Sequence, residues 1–219
     1  MDRTEIDAML AKKIEQGRTY RDMEIRALGD ENEMRVEGYA TTFNEFYELW
    51  SYDGYTFLEA VDARAFDNCD MSDVIMQYNH EGRVFARMSN GTLSCKPDDH
   101  GLLVNADLGG TELGRELYRE IAGGYTTRMS FGFKVKEDVR EVVEDHETGA
   151  ITIRRTITAI EKLYDVSAVS IPANPYTEIS ARSYCDGVIA ELEAERLRAK
   201  ETQELCRKKL AEIRFLMEV

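Results

Sequence analysis

Met129-Ser130-Phe131-Gly132-Phe133 places a serine hydroxyl inside a strongly apolar run of this 219-residue chain. On a strand, alternate side chains point to opposite faces, so Met129, Phe131 and Phe133 would share a buried side. Ser130 would then project from the other face, beside Gly132, which has no side chain to block it. A small hydroxyl on a rigid strand is a suitable nucleophile. The competing reading is a half-buried strand whose outward residues are small, and the period-two pattern alone favours it.

A serine hydroxyl attacks at neutral pH only with a base in hydrogen-bonding reach. The chain has three histidines: His80, His100 and His146. His100 and His146 sit in polar turns, Pro97-Asp98-Asp99-His100-Gly101 and Glu144-Asp145-His146-Glu147-Thr148-Gly149. His80 alone ends an apolar segment, Asp73 to His80, where strand residues give way to a loop. The competing reading is a surface histidine at a strand end, and sequence chemistry by itself leans that way. A third run, Lys162 to Ile171, is β-type and contains an acid, Asp165. By simple alternation Asp165 shares a face with Leu163, Ser167 and Val169. A buried carboxylate needs a partner, and a histidine N–H would serve while orienting the imidazole. Exposure at a sheet edge is the alternative.

The elements that must hold these residues divide the chain into three parts. Residues 1–21 are polar, with Ile6, Met9, Leu10 and Ile14 at helical spacing. Residues 22–182 alternate strand-like runs with turns; Met34–Ala40, Leu102–Leu108 and Ile151–Ile157 are the clearest strands. Thr111 to Ala122 reads as a helix capped by Thr111, with Leu113, Leu117, Tyr118 and Ile121 as its stripe and Gly123-Gly124 as its stop. The expected fold is α+β: a mainly antiparallel closed sheet or barrel with flanking helices. From residue 183 onward Glu, Lys, Arg, Leu and Ala dominate, predicting a C-terminal amphipathic helix. Leu192, Ala199, Cys206 and Ile213 recur every seven residues there, but Arg196 and Gln203 interrupt the seam. A coiled coil and a helix that docks on a partner both fit.

Composition narrows the function classes. A net charge of −14 argues against nucleic-acid binding, which usually needs a basic patch. No apolar run is long enough to span a bilayer, and the first residues lack signal-peptide character, so a soluble intracellular protein is expected. Cys69, Cys95, Cys185 and Cys206 show neither zinc spacing nor a disulfide framework. No metal-ligand cluster appears, and a hydrolytic serine site requires no cofactor.

Asn79-His80, Met129 to Phe133, and Asp165 to Pro175 together resemble the prohead serine proteases of tailed bacteriophages. The three blocks stand in that family's order and approximate spacing, over about residues 22–182. The resemblance implies a capsid-maturation serine endopeptidase with a fold similar to herpesvirus assemblins. It implies Ser130 as nucleophile, His80 as base and Asp165 as third member, where the family often has glutamate. The family usually also has a glycine shortly after the histidine; Ala86 stands near that place.

Further expectations follow from the resemblance. The substrate is the scaffold portion of the phage major capsid protein, with the protease itself as a second substrate. The setting is the host bacterial cytoplasm, inside the assembling prohead. Self-association is left open, and no nucleic acid or membrane is involved. The loop Pro172-Ala173-Asn174-Pro175 is a candidate source of oxyanion donors, of which only Ala173 and Asn174 carry a backbone N–H. A non-catalytic capsid assembly or scaffolding protein, binding subunits through its C-terminal helix, is the alternative. An unrelated esterase lacks support, since no Gly-x-Ser-x-Gly elbow surrounds Ser130.

Overall fold

A computed structural model of the chain describes residues 19–28, 33–169 and 175–217. They fall into two compact units that divide between Ala181 and Arg182. The first is built on ten strands: β1 (Thr19–Leu28), β2 (Arg35–Thr42), β3 (Tyr47–Tyr52), β4 (Tyr55–Val61), β5 (Ile75–Tyr78), β6 (Glu81–Arg87), β7 (Leu93–Pro97), β8 (Gly101–Asp107), β9 (Arg128–Glu144) and β10 (Ile151–Val169). Helix α1 (Glu112–Ala122) lies between β8 and β9. The described part of the second unit lies within α2 (Pro175–Met217), where Leu197, Leu205, Leu210 and Ile213 are exposed. The expected C-terminal helix is therefore present. The apolar spacing read in residues 1–18 lies outside the described residues, and Thr19 to Arg21, assigned to that segment, belong to β1.

The strands run in the order β3-β4-β10-β9-β1-β2-β8-β7, with β5 and β6 attached to the far half of β10. Pairing is mainly antiparallel, as expected; β10 pairs parallel with β4 and then with β5. The sheet does not close into the expected barrel. Among the described residues its ladder ends at β7, whose last residue, Pro97, has no N–H to extend it. A 3-10 turn, Met88–Asn90, separates β6 from β7 and delivers β7 onto β8 instead.

The core gathers Met129, Phe131 and Phe133 of β9 with Val61, Met76, Leu102, Val104, Leu117 and Ile121. The Phe131 and Phe133 rings stack at 4.5 Å. Helix α1 begins as its sequence dictates, with Thr111 Oγ1 accepting from Gly114 N–H at 3.0 Å. Leu113 departs from the expected stripe and is exposed; Gly114 is buried in its place. A Cβ at Gly114 would lie 2.2 Å from the Leu108 carbonyl oxygen, so the helix approaches the chain closely only because that residue is glycine.

A charged network is buried where β4 meets β10. Glu59, paired in register with Arg155, is fully buried. Its carboxylate accepts from Arg21 at 2.5 and 2.9 Å, from Arg155 at 2.9 Å and from the Tyr47 hydroxyl at 2.6 Å. Arg155 also binds Asp138 at 2.6 Å. Burial alone would raise the Glu59 pKa, but the Arg21 and Arg155 guanidinium groups outweigh it and hold the carboxyl below its ordinary value. Burial likewise disfavours the charged Arg21, yet Glu59 and Tyr47 leave its pKa raised.

Removing one member strands the others. Glu59→Ala is expected to cost about 3–5 kcal/mol in urea unfolding. Because the folded pKa is depressed, the Glu59 contribution is complete above the ordinary carboxyl pKa of about 4.3. It is lost as pH falls through the folded value. The variant's unfolding free energy should therefore converge on that of the parent protein as pH is lowered.

Candidate active site

Strands β5, β10 and β9 lie side by side, and their register decides which residues meet. Between β9 and β10, Phe133 opposes Leu163, Gly132 opposes Asp165, Phe131 opposes Val166, Ser130 opposes Ser167, and Met129 opposes Ala168. Residues directly opposite share a face. Leu163, Val166 and Ala168 therefore join the phenylalanines in the core, and Asp165 and Ser167 share the other face with Ser130 and Gly132. This corrects the expectation that Asp165 lies on the face of Leu163. The ladder slips between Leu163 and Asp165: β10 advances two residues while β9 advances one, leaving Tyr164 as a bulge. The extra residue turns Asp165 away from the core.

His80 comes from the other flank of β10. Asp165 is in register with Ile75 and Ser167 with Gln77 of β5. Tyr78 then pairs with Glu81 of β6, so Asn79 and His80 form a two-residue hairpin turn. Their φ angles, 51° and 60°, are both positive, as a type I′ turn requires. Asn and His are among the residues that tolerate this region best. Asn79 N–H also donates to the Ala168 carbonyl at 2.9 Å, tying the turn to β10.

Two of the three expected side chains are brought into contact. His80 Nδ1 hydrogen-bonds Asp165 Oδ2, with His80 and Asp165 both almost wholly buried. Ser167 Oγ donates to the same Oδ2 at 3.1 Å. Ser130 is fully buried, on the strand between β1 and β10, where Asp22 and Ser167 stand opposite it. Its Oγ makes no hydrogen bond among the described residues. The sequence reading missed Ser167, whose only signal was a hydroxyl two residues beyond the acid.

The other candidates lie elsewhere. His100 packs edge-on against Tyr39 at 4.6 Å, in a turn held by Asp98. His146 occupies the β9–β10 turn, organised by Asp145. Pro172, Ala173 and Asn174 lie outside the described residues, and Pro175 opens α2. Burial raises the thiol pKa of Cys69 to about 11 and of Cys95 to about 12, which suppresses thiolate chemistry at both. Among the described residues no group could hold a metal ion and no helix is long and apolar enough to cross a membrane. A cavity of about 400 Å³ opens beside the site rather than on it; Arg128, two residues before Ser130, lines it with Glu24, Gly38, Tyr39 and His100.

A strand serine, a turn histidine and a buried aspartate on one face of a sheet are the groups that serine hydrolases use. The comparison with known families agrees: the model for the caudovirus prohead serine protease matches residues 21–187, and the chain belongs to that family. Membership carries with it the class of serine protease and a part in phage capsid maturation. No curated protein and no solved structure matches the chain.

The turn geometry gives a test. Asn79→Gly and Asn79→Val both remove the Asn79 side chain, but glycine accepts positive φ, so the glycine variant should be the more stable of the two. Asn79→Val should destabilise by about 1–3 kcal/mol and lower the rate by displacing His80. Urea unfolding and a cleavage assay on the same samples check both.

Proposed function

We propose that Ser130, His80 and Asp165 are the catalytic residues of an endopeptidase that cleaves the scaffold portion of the major capsid protein during prohead maturation. The observation that carries this reading is the buried His80–Asp165 hydrogen bond, formed on the face where Ser130 sits. In the proposed mechanism His80 takes the proton as Ser130 Oγ attacks a peptide carbonyl, then returns it to the leaving amine. Asp165 fixes the imidazole tautomer and stabilises its charged form. The reaction needs no cofactor.

The enzyme would act in the host bacterial cytoplasm within the assembling prohead and would also cleave itself. Confinement with its substrate at high local concentration makes a fast enzyme unnecessary. The alternative, a non-catalytic scaffolding protein, is less well supported. Burying an aspartate against a histidine is costly, and a scaffold has no need of that pair.

Ser130→Ala should abolish cleavage of a peptide spanning the capsid-scaffold junction while the protein stays folded. Asp165→Asn should lower kcat by up to about 10⁴, through the wrong tautomer. Cleavage at the parent rate by Ser130→Ala, with contaminating protease excluded, refutes the assignment.

The division of the chain into a segment 1–21, a protease domain 22–182 and a helical part 183–219 is part of this proposal. In it the last part delivers the enzyme to the shell, by pairing with itself or with capsid protein. The exposed Leu197, Leu205, Leu210 and Ile213 support that role. A protein ending at Ser183 should keep peptide cleavage and lose incorporation into proheads. Loss of cleavage with normal incorporation would refute the division.

A further inference from the structure

Two serine hydroxyls face each other across the β9–β10 ladder, Ser130 and Ser167, and both are fully buried. Their surroundings differ. Ser167 Oγ lies 3.1 Å from Asp165 Oδ2, and a hydroxyl facing a carboxylate can only donate. Its proton is thereby committed. Ser130 Oγ has no hydrogen-bond partner among the described residues, so its proton is available to a base.

The oxygen that Ser167 binds is also the one that accepts from His80 Nδ1. Asp165 is short, and the carboxylate can still rotate about its last bond. The hydroxyl of Ser167, two residues along the same strand, restrains that rotation at the very oxygen that faces the imidazole. Ser167 is well placed for this because β10 is held there on both sides, by β9 and by β5. Asp165 and Ser167 share a face by simple alternation, and the bulge at Tyr164 turns both away from the face of Leu163.

We infer that Ser167 is a positioning residue: its hydroxyl pins Asp165 Oδ2 so that this oxygen receives the His80 Nδ1 proton in a single geometry. This rests on the triad reading given above. Ser167 also tempers the carboxylate, because a donated hydrogen bond spreads its charge and weakens it as an acceptor from the imidazole. Ser130 attacks, and Ser167 keeps the acid in place.

The test uses the full chain and a fluorophosphonate probe, which phosphonylates an activated serine and needs no knowledge of the cleavage sequence. In the parent protein, peptide mapping should find the label on Ser130. Ser167→Ala should be labelled at the same residue about tenfold more slowly, the scale of a hydrogen bond to a charged group. Ser167→Thr, which keeps the hydroxyl, should recover most of the rate. In the Ser130→Ala background, the low-field proton resonance of the His80–Asp165 hydrogen bond should move further downfield on Ser167→Ala, because the carboxylate loses a competing donor. A merely structural role for Ser167 would leave that resonance in place. If Ser167→Ala fails to fold, Ser167→Cys keeps the volume with a weaker donor and should also be labelled more slowly. Labelling of Ser130 at an unchanged rate, or an unmoved resonance, overturns this inference and leaves the triad intact. Labelling of Ser167 in the parent protein, or of neither serine, overturns the triad reading and this inference with it.

Discussion

The register of β10 against β9 governs the rest of the molecule. Ile157, Ile160, Leu163 and Val166 all reach the core, at intervals of three rather than two. An undisturbed strand cannot do that. The ladder shifts between Ile157 and Ala159, between Ile160 and Lys162, and between Leu163 and Asp165, each time adding a residue to β10, and between Ala159 and Ile160, where β9 gains one. Each extra residue bends the strand, and the bends carry β10 from its pairing with β4 to its pairing with β5. The freed backbone groups are taken up by the chain between those two strands: Asp62 and Asp70 donate to Ile157 and Glu161, while Ile160 and Leu163 donate to Ala65 and Asp70. Lys162 adds an ion pair to Asp70 at 2.6 Å. The last shift places Asp165 and His80 on the same face.

Polar groups are buried on both sides of this strand, with different consequences. Glu59 is enclosed with two arginines and a tyrosine, so each of its oxygens has partners and the carboxyl stays ionised. Such a network contributes less net stability than its short contacts suggest, since desolvation offsets most of the attraction. Its effect is selective: an alternative packing that separates these charges is heavily penalised. The site face carries fewer groups, and Ser130 is left without a partner among the described residues.

The strands that alternate cleanly were legible in the sequence. Met129 to Phe133 proved to be a core strand with Ser130 facing away, and Met34–Ala40 and Leu102–Leu108 fall within a residue or two of β2 and β8. The Thr111 cap was legible because its hydroxyl acts within its own turn. The Asn79-His80 position was legible because strand residues give way there to two types that accept positive φ. The face of Asp165 was not. Bulges are set by what the partner strand and the neighbouring loop can pair with, and neither is encoded in the local pattern. Leu113 misled for a similar reason: Gly114 lets the helix approach Leu108, which rotates Leu113 outward, and periodicity alone does not register a close approach. The open sheet was equally hidden, because closure depends on how β6 and β7 meet, a contact between edges with no signature in either strand.

An unpaired hydroxyl in a fully buried position is itself informative. Leaving such a group unsatisfied costs about 1–3 kcal/mol. Folding tolerates this at Ser130 because the flanking residues, Met129 and Phe131, are anchored in the core and fix the strand regardless of what the serine touches. The hydroxyl cannot escape the cost by turning to water. A base brought within reach of Ser130 would relieve that cost, and the base that the proposed mechanism assigns is His80, whose Nδ1 is held by Asp165.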